Sequence, residues 1–510
     1  MVKKIMNYKV WVTFLLLIFI FAYDYPSILF KRPQSVHHWR QADCASLALN
    51  YFQNGMSFFN PQTHNLTSNN KTSSFCAPSE IPFGYYFIAS LYKVFGYNDF
   101  IYRFVNTLIF IIGLFYLFKT FRILLDDNFW AISGTLLFFT SPVLVYYGNN
   151  FLTDMSALAF TFIAWYFFFK YYLASNMRSL YLSILFFFIA ASYKITALMS
   201  FSSLGVILII ELLKINKIGY KNNLLFKSPL KTIVSFVGVI SLIGAWVIYA
   251  KNYNLKNATA YFSTTIFPIW EMDKEQINAV IQNIKGLWLN QYFHRYTLVF
   301  FAIIFVVNIF LIKKSNKVVA FNNIILFLFT IVYVILWFAT FKDHDYYTIN
   351  LYILLVFTLL NFLLILKSSY TQIFKSIIFK VLFAAFVMFN FNHARIQQHL
   401  RYYGWWNEYN EYKDYHTITP YLYSIGIHPL DTVICLPDDS HFTLYLMNQR
   451  GWTECMGNNL DSASISLSIS KGANYLIING EETIKRDYLK SFLSKPIGQY
   501  NSIKIYKIGN

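Results

Sequence analysis

The sequence predicts a polytopic α-helical membrane protein of about eleven spans, followed by a small α/β domain on the outer face of the membrane. Three observations predict it. Charged residues make up only 13% of the 510 and hydrophobic ones 56%, whereas a soluble domain carries about 25% charged residues. Apolar runs near the length a helix needs to cross a bilayer, roughly 20 residues, recur along the chain. Lysine and arginine gather in alternate connections between those runs, as orientation in a membrane requires.

The first run, Val10 to Tyr23, follows Lys3, Lys4 and Lys9. Phe21-Ala22-Tyr23 lacks the small residues of a signal cleavage site, so the run reads as an uncleaved span with a cytoplasmic N-terminus. Further spans are expected at 101–121, 129–148, 151–173, 179–194, 197–213, 231–250, 296–312, 318–341, 346–366 and 376–392, with Lys194 interrupting the pair between 179 and 213. The even connections hold Lys119 and Arg122; Arg178; Lys214, Lys217, Lys221, Lys227 and Lys231; Lys313, Lys314 and Lys317; and Lys367 and Lys375. Short basic loops belong in the cytoplasm. The long connections 24–100 and 251–295 then lie outside, as does the C-terminus. The net charge of +18 sits at span ends, without zinc-knuckle spacing or a basic helix interleaved with polar residues. Membrane lipid is thus the expected partner, and nucleic acid is excluded.

Aromatic residues, 21% of the chain, suit lipid-facing helices and interfacial belts. The chain divides into a transmembrane domain, 1–392, and an outer α/β domain, 393–510. In the latter, 431–436 and 474–479 read as strands, Ser440 to Met447 as the start of a helix, and 503–508 as an edge strand. All four cysteines fall outside. Two disulfides are expected, Cys44 with Cys76 in the first outer loop and Cys435 with Cys455 in the tail; four isolated thiols are the alternative.

Four outer fragments carry candidate chemistry. The first, 37–48, contains Trp39, Arg40, Gln41, Asp43 and Cys44; a carboxylate at the membrane surface suits a general base, or else Asp43 caps the helix that follows. The second contains Glu80 before Pro82, an acid or again a cap. The third opens a span at Asp154, where the helix dipole favours an acid and where ionisable groups are also functional candidates. The fourth is Lys342-Asp343-His344-Asp345-Tyr346-Tyr347, cations and hydroxyls that suit a phosphate. Arg103, Lys194, His294 and Arg295 complete the outer basic set. No Walker loop, no Rossmann glycine fingerprint and no His-Glu-x-x-His helix is present, which argues against nucleotide-driven transport and zinc proteolysis.

In this order the fragments resemble bacterial membrane glycosyltransferases of the GT-C fold, family 39, which include protein O-mannosyltransferases and the aminoarabinose transferase of lipid A. The likeness rests on Trp39-Arg40-Gln41-Ala42-Asp43, Asn60-Pro61-Gln62, Glu80-Ile81-Pro82, Phe151-Leu152-Thr153-Asp154, His344-Asp345-Tyr346-Tyr347, Leu444-Tyr445-Leu446-Met447 and Arg450-Gly451-Trp452. It implies inverting transfer of a sugar from a polyprenyl-phosphate donor to an acceptor hydroxyl on a lipid, glycan or protein. Asp43 matches the base, Asp154 and Glu80 match further acids, and Tyr346 and Tyr347 match residues near the donor phosphate. Lipid A-modifying relatives carry a lysine where this chain has Ile81. Arg103, Lys342 and His344 are the candidate phosphate-binding residues, and Trp39, Arg40 and Gln41 the substrate loop.

No cofactor is required by this chemistry. A divalent cation among Asp43, Glu80, Asp154 and His294 is the alternative to hydrogen-bonded acids. Two other functions fit the same plan: a polyprenyl-diphosphate glycan ligase or polymerase, and a lipid-linked sugar transporter without catalysis. Transporters place ionisable groups mid-bilayer on broken or repeated helices; here the acids sit at outer ends and no repeat is visible. A sensor or scaffold whose tail binds a partner is a further reading.

Overall fold

The computed structural model describes residues 2–219, 223–262, 265–404, 411–429 and 431–509. Lys221, counted above among the cytoplasmic cations, lies outside them. Seven described helices are long and apolar enough to cross a membrane: Asp99–Leu125, Thr153–Ala174, Ile195–Leu212, Pro229–Lys256, Lys317–Leu336, Asp345–Ser369 and Ile377–Tyr403. Two bent pairs add to these, Asn128–Phe138 with Pro142–Gly148 at 79° and Lys274–Tyr292 with Arg295–Phe310 at 85°. Val10–Ala22 and Met177–Tyr193 are shorter apolar helices. All eleven expected segments therefore fall on apolar helices, while length and apolarity alone give seven spans, or nine with each bent pair taken as one.

The breaks have local causes. Ser141 caps the helix that Pro142 opens, its hydroxyl accepting from the Leu144 amide, and a proline fits only such a first turn. Before Arg295–Phe310, Phe293 is extended and His294 caps the helix, accepting at Nδ1 from the Tyr296 amide at 3.3 Å. Lys194 ends Met177–Tyr193 in extended backbone (φ −157°, ψ 122°) before a short 3₁₀ turn leads into Leu198–Leu212.

The chain forms two compact units. The first comprises Met1–Leu29, Arg103–Ala245 and Thr265–Leu400; the second comprises Phe30–Tyr102, Trp246–Thr264 and Arg401–Asn510. This division differs from a cut at 392/393, because the tail shares its unit with most of the first outer loop and part of the second.

Aromatic packing and buried amides join the helices of the first unit. Trp165 lies against Phe168, Phe169, Phe187 and Phe357. Ser203 donates to Asn322 at 2.7 Å, Thr358 to Asn323 at 3.0 Å, and Asn308 to the Thr358 carbonyl at 2.9 Å. Such bonds between helices satisfy polar groups that lipid cannot.

The second unit holds a five-stranded sheet: β1 (Thr432–Leu436), β2 (Arg450–Trp452), β3 (Tyr475–Asn479), β4 (Pro496–Tyr500) and β5 (Ile503–Lys507), in the order β2-β1-β3-β5-β4. β1 pairs in parallel with β2 and β3; β5 pairs antiparallel with β3 and β4. The segment 503–508 is therefore not an edge. The edge on that side is β4, whose Pro496 and bulge suit a strand paired on one side. Ile434, Leu436, Trp452, Leu476, Ile478 and Leu489 form the core. The first outer loop extends the sheet beyond β2: the Leu66 amide donates to the Gly451 carbonyl at 2.8 Å, and the Gly451 amide to the His64 carbonyl at 3.2 Å. Gly451 also passes so close to β1 that a Cβ there would stand 1.7 Å from the Val433 oxygen.

The four cysteines are free, buried thiols, not the two expected bridges. Each sulfur has its own neighbour. Cys44 lies 3.8 Å from the Tyr85 hydroxyl, Cys76 donates to Thr63 at 3.6 Å, Cys435 donates to Tyr415 at 3.3 Å, and Cys455 faces the Asn65 amide. Burial pushes the Cys44 thiol up to about 11 and the other three to about 12, the range of inert structural thiols.

Candidate functional site

In the second unit, the fragment around Asp43 folds as the helix His38–Gln53, preceded by His37 in left-handed backbone at φ 56°. Asp43 therefore lies inside the helix and does not cap it. Its carboxylate is buried, 3% exposed, beside equally buried Arg40, Glu80 and His441. Arg40 spans two acids: Nη1 lies 3.3 Å from Asp43 Oδ2 and Nη2 lies 3.1 Å from Glu80 Oε1. Glu80 does not cap either, since Pro82 is the cap residue of the helix Phe83–Phe95. The other Asp43 oxygen, Oδ1, accepts from the Tyr261 hydroxyl at 2.6 Å. That hydroxyl lies 2.7 Å from His441 Nδ1, and His441 Nε2 is 3.5 Å from Asp43 Oδ1. The Arg40 guanidinium faces the Phe262 ring at 5.6 Å. Burial lowers the pKa of His441, which favours the neutral imidazole, although Asp43 opposes this.

Of the substrate-loop residues, Arg40 joins this cluster. Gln41 is fully buried and donates to the carbonyls of Gln34 and Val36 at 2.7 and 3.1 Å, bracing the loop before the helix. Trp39 is half-buried and packs edge-on against His37.

A second charged cluster belongs to the first unit. Asp154 sits in the first turn of Thr153–Ala174, 3.2 Å from Lys194 Nζ. That ammonium faces the rings of Tyr347 and Tyr346 at 5.3 and 5.9 Å. The two tyrosines stack on each other and on His344. Tyr147 donates to buried Asp345 at 2.6 Å. Two further polar atoms in this region, Thr153 Oγ1 and Asn150 Nδ2, are buried without a hydrogen-bond partner, an arrangement that a polar ligand would satisfy.

Arg103 is fully buried, donates to the Asn149 carbonyl at 2.6 Å and faces the Phe151 ring at 4.6 Å, which fixes the loop leading to Asp154. Lys342 is exposed, and its carbonyl accepts from Trp288 and Asn283 at 2.8 and 3.2 Å. The cation over the tyrosines is Lys194. Among the described residues no three His, Cys, Asp or Glu side chains gather as metal ligands. Arg40 lies between Asp43 and Glu80, and His294 serves as a helix cap.

Tyr261 and His441 were not singled out by the sequence. The only signal for His441 is the polar run Asp438-Asp439-Ser440-His441; Tyr261 lies in an unremarkable loop.

Against known structures, the chain aligns with ArnT from Cupriavidus metallidurans bound to undecaprenyl phosphate, with a TM-score of 0.60, 98% of each chain covered and 11% sequence identity. The chain has the GT-C fold. Other GT-C structures align as well. The Archaeoglobus fulgidus oligosaccharyltransferase does so at a TM-score of 0.54 and 10% identity, over 91% of this chain and 69% of its own. The mycobacterial arabinofuranosyltransferase AftD does so at 0.54 and 11%, over 98% of this chain and 40% of its own. The profile of the dolichyl-phosphate-mannose-protein mannosyltransferase family matches residues 78–220 of this GT-C chain. Among curated proteins no sequence matches.

Proposed function

We propose that the chain is a membrane glycosyltransferase that moves a sugar, with inversion, from a polyprenyl monophosphate to an acceptor hydroxyl on the outer face of the membrane. The observation that carries this reading is the buried Asp43 carboxylate, gripped by Arg40 and Tyr261, in a chain of GT-C fold. Asp43 accepts the acceptor's proton. The acceptor oxygen then bonds the anomeric carbon as the bond from that carbon to the phosphate oxygen breaks, its electron pair leaving with the phosphate. Charge grows on that phosphate, so a fixed cation and hydroxyls favour the transition state. The solved complex of ArnT with undecaprenyl phosphate supports a lipid-phosphate carrier. The basic short loops support an outer location for the acids.

The test is release of polyprenyl phosphate by the purified protein, offered a panel of polyprenyl monophosphate sugars and a crude envelope acceptor. Wild-type release that drops by about 10²–10⁴-fold in Asp43→Asn, with donor binding intact, is the expected result. Activity on a diphosphate-linked donor alone would replace this reading with a polyprenyl-diphosphate glycan ligase.

A further inference from the structure

Asp43 is held from one side by a residue of its own helix, Arg40, and from the other by residues of two distant segments. Tyr261 comes from the second outer loop and His441 from the C-terminal segment, both in the second unit with Asp43. We infer that Tyr261 and His441 are positioning residues for the catalytic base, fixing the orientation of the Asp43 carboxylate through Oδ1. This rests on the reading of Asp43 as the base.

The hydrogen bonds define the order of the chain. Ionised Asp43 only accepts, so the single Tyr261 proton points to Oδ1 at 2.6 Å. The Tyr261 oxygen then accepts from His441 Nδ1 at 2.7 Å. In this order His441 carries its hydrogen on Nδ1, with Nε2 3.5 Å from Asp43 Oδ1. A carboxylate in a helix turns about its χ angles unless something stops it. With Oδ1 tethered and Arg40 lying against Oδ2 at 3.3 Å, the plane of the group is set before substrate arrives, and that preorganisation is what a general base needs. Burial supports the neutral imidazole: His441 is 1% exposed. The groups that face it are Asp43, Arg40 and the Ala42 backbone on the helix His38–Gln53, Tyr261, Asp438 of its own loop, and His64.

This gives the C-terminal segment a part in the reaction as well as in the fold. It also gives the second outer loop one: removal of the Tyr261 hydroxyl takes away the link from His441 Nδ1 to the base, leaving only the 3.5 Å approach of Nε2 to Asp43 Oδ1, without disturbing the ring packing against His441 at 5.3 Å.

The experiment compares Tyr261→Phe, His441→Gln and His441→Phe with wild type and Asp43→Asn. It uses full-length protein and the monophosphate donor that wild type releases fastest, with melting midpoints measured in parallel. Tyr261→Phe is expected to lower kcat by about 10²-fold, the cost of a misplaced base, with KM for the donor within twofold of wild type. His441→Gln, whose amide still donates to Tyr261, is expected to keep more of kcat than His441→Phe at equal melting midpoint. Tyr261→Phe at wild-type kcat overturns the inference, as does equal loss in His441→Gln and His441→Phe when both are folded. Should His441→Phe fail to fold, the Tyr261→Phe result decides alone. Full turnover in Asp43→Asn, or no release by wild type from any monophosphate donor, overturns the reading of Asp43 as the base.

Discussion

Lys194 Nζ and Asp154 Oδ1 lie 3.2 Å apart, both buried, with Tyr347 and Tyr346 facing the ammonium. Removing one charge from such a pair strands the other. Lys194→Met is expected to lower stability by about 3–5 kcal/mol, and the double variant Lys194→Met/Asp154→Asn to regain a substantial part. Melting in detergent checks it; a double variant no better than the single one would show that the two charges are not coupled.

Arg32 serves three acceptors at once. Nε donates to Asp99 at 2.9 Å, and Nη1 to the carbonyls of Leu446 and His416 at 2.9 and 3.3 Å. Tyr445 also donates to Asp99. A lysine cannot reproduce that fork. Arg32→Lys is therefore expected to sensitise the C-terminal segment to limited proteolysis nearly as much as Arg32→Ala. Wild-type resistance in Arg32→Lys would reduce the residue to a point charge.

Gly451→Ala places a methyl carbon against the Val433 carbonyl. Backbone cannot yield as a side-chain tip does, so the cost should exceed the usual 1–3 kcal/mol or so of overpacking. The expected outcome is loss of the folded second unit, visible as early proteolysis of the tail. A variant that melts like wild type contradicts the close approach.

The four thiols give a simple count. Unreduced protein, denatured under anaerobic conditions, should react with four equivalents of a thiol reagent, because each sulfur is buried beside its own polar neighbour. Fewer equivalents would mean that a bridge forms.

His64 gives an acid-side signature. Burial, with His441, Arg450 and Arg32 nearby, pulls its pKa down to about 3, while Ser46 and Asn50 bond its Nδ1. The unfolded chain binds this proton below about 6.5 and the folded one only near 3. Stability therefore falls as pH drops from about 6.5 towards 3. His64→Gln should flatten that slope relative to wild type in melting curves taken across the range. An unchanged slope would place the acid sensitivity elsewhere, for instance at His416, which is depressed to the same extent.

The helices were legible because each apolar run is long enough to be read without knowing its neighbours, and Lys194 marked its own break. The strands Thr432–Leu436 and Tyr475–Asn479 were legible as short apolar runs. Arg450–Trp452 has three residues and Pro496–Tyr500 contains a proline and a glycine, so their strand character comes from partners and not from local pattern. The site divides the same way. Asp43 stood out in its fragment, but Tyr261 lies 218 positions along the chain, and no local spacing encodes that meeting. Folding likewise brings Lys194 to the rings of Tyr346 and Tyr347, about 150 positions along the chain, a meeting that local spacing does not encode.

The backbone pairing of residues 64–66 with Gly451 also sets a timetable for biogenesis. The loop leaves the ribosome early and its partner strand almost last. At roughly 5–20 residues per second, the polar edge around Asn65 waits some 20–80 s, by that rate, for the strand that completes it. Through that interval the edge has no strand partner, and a nascent chain stalled before residue 450 would present it to the folding machinery.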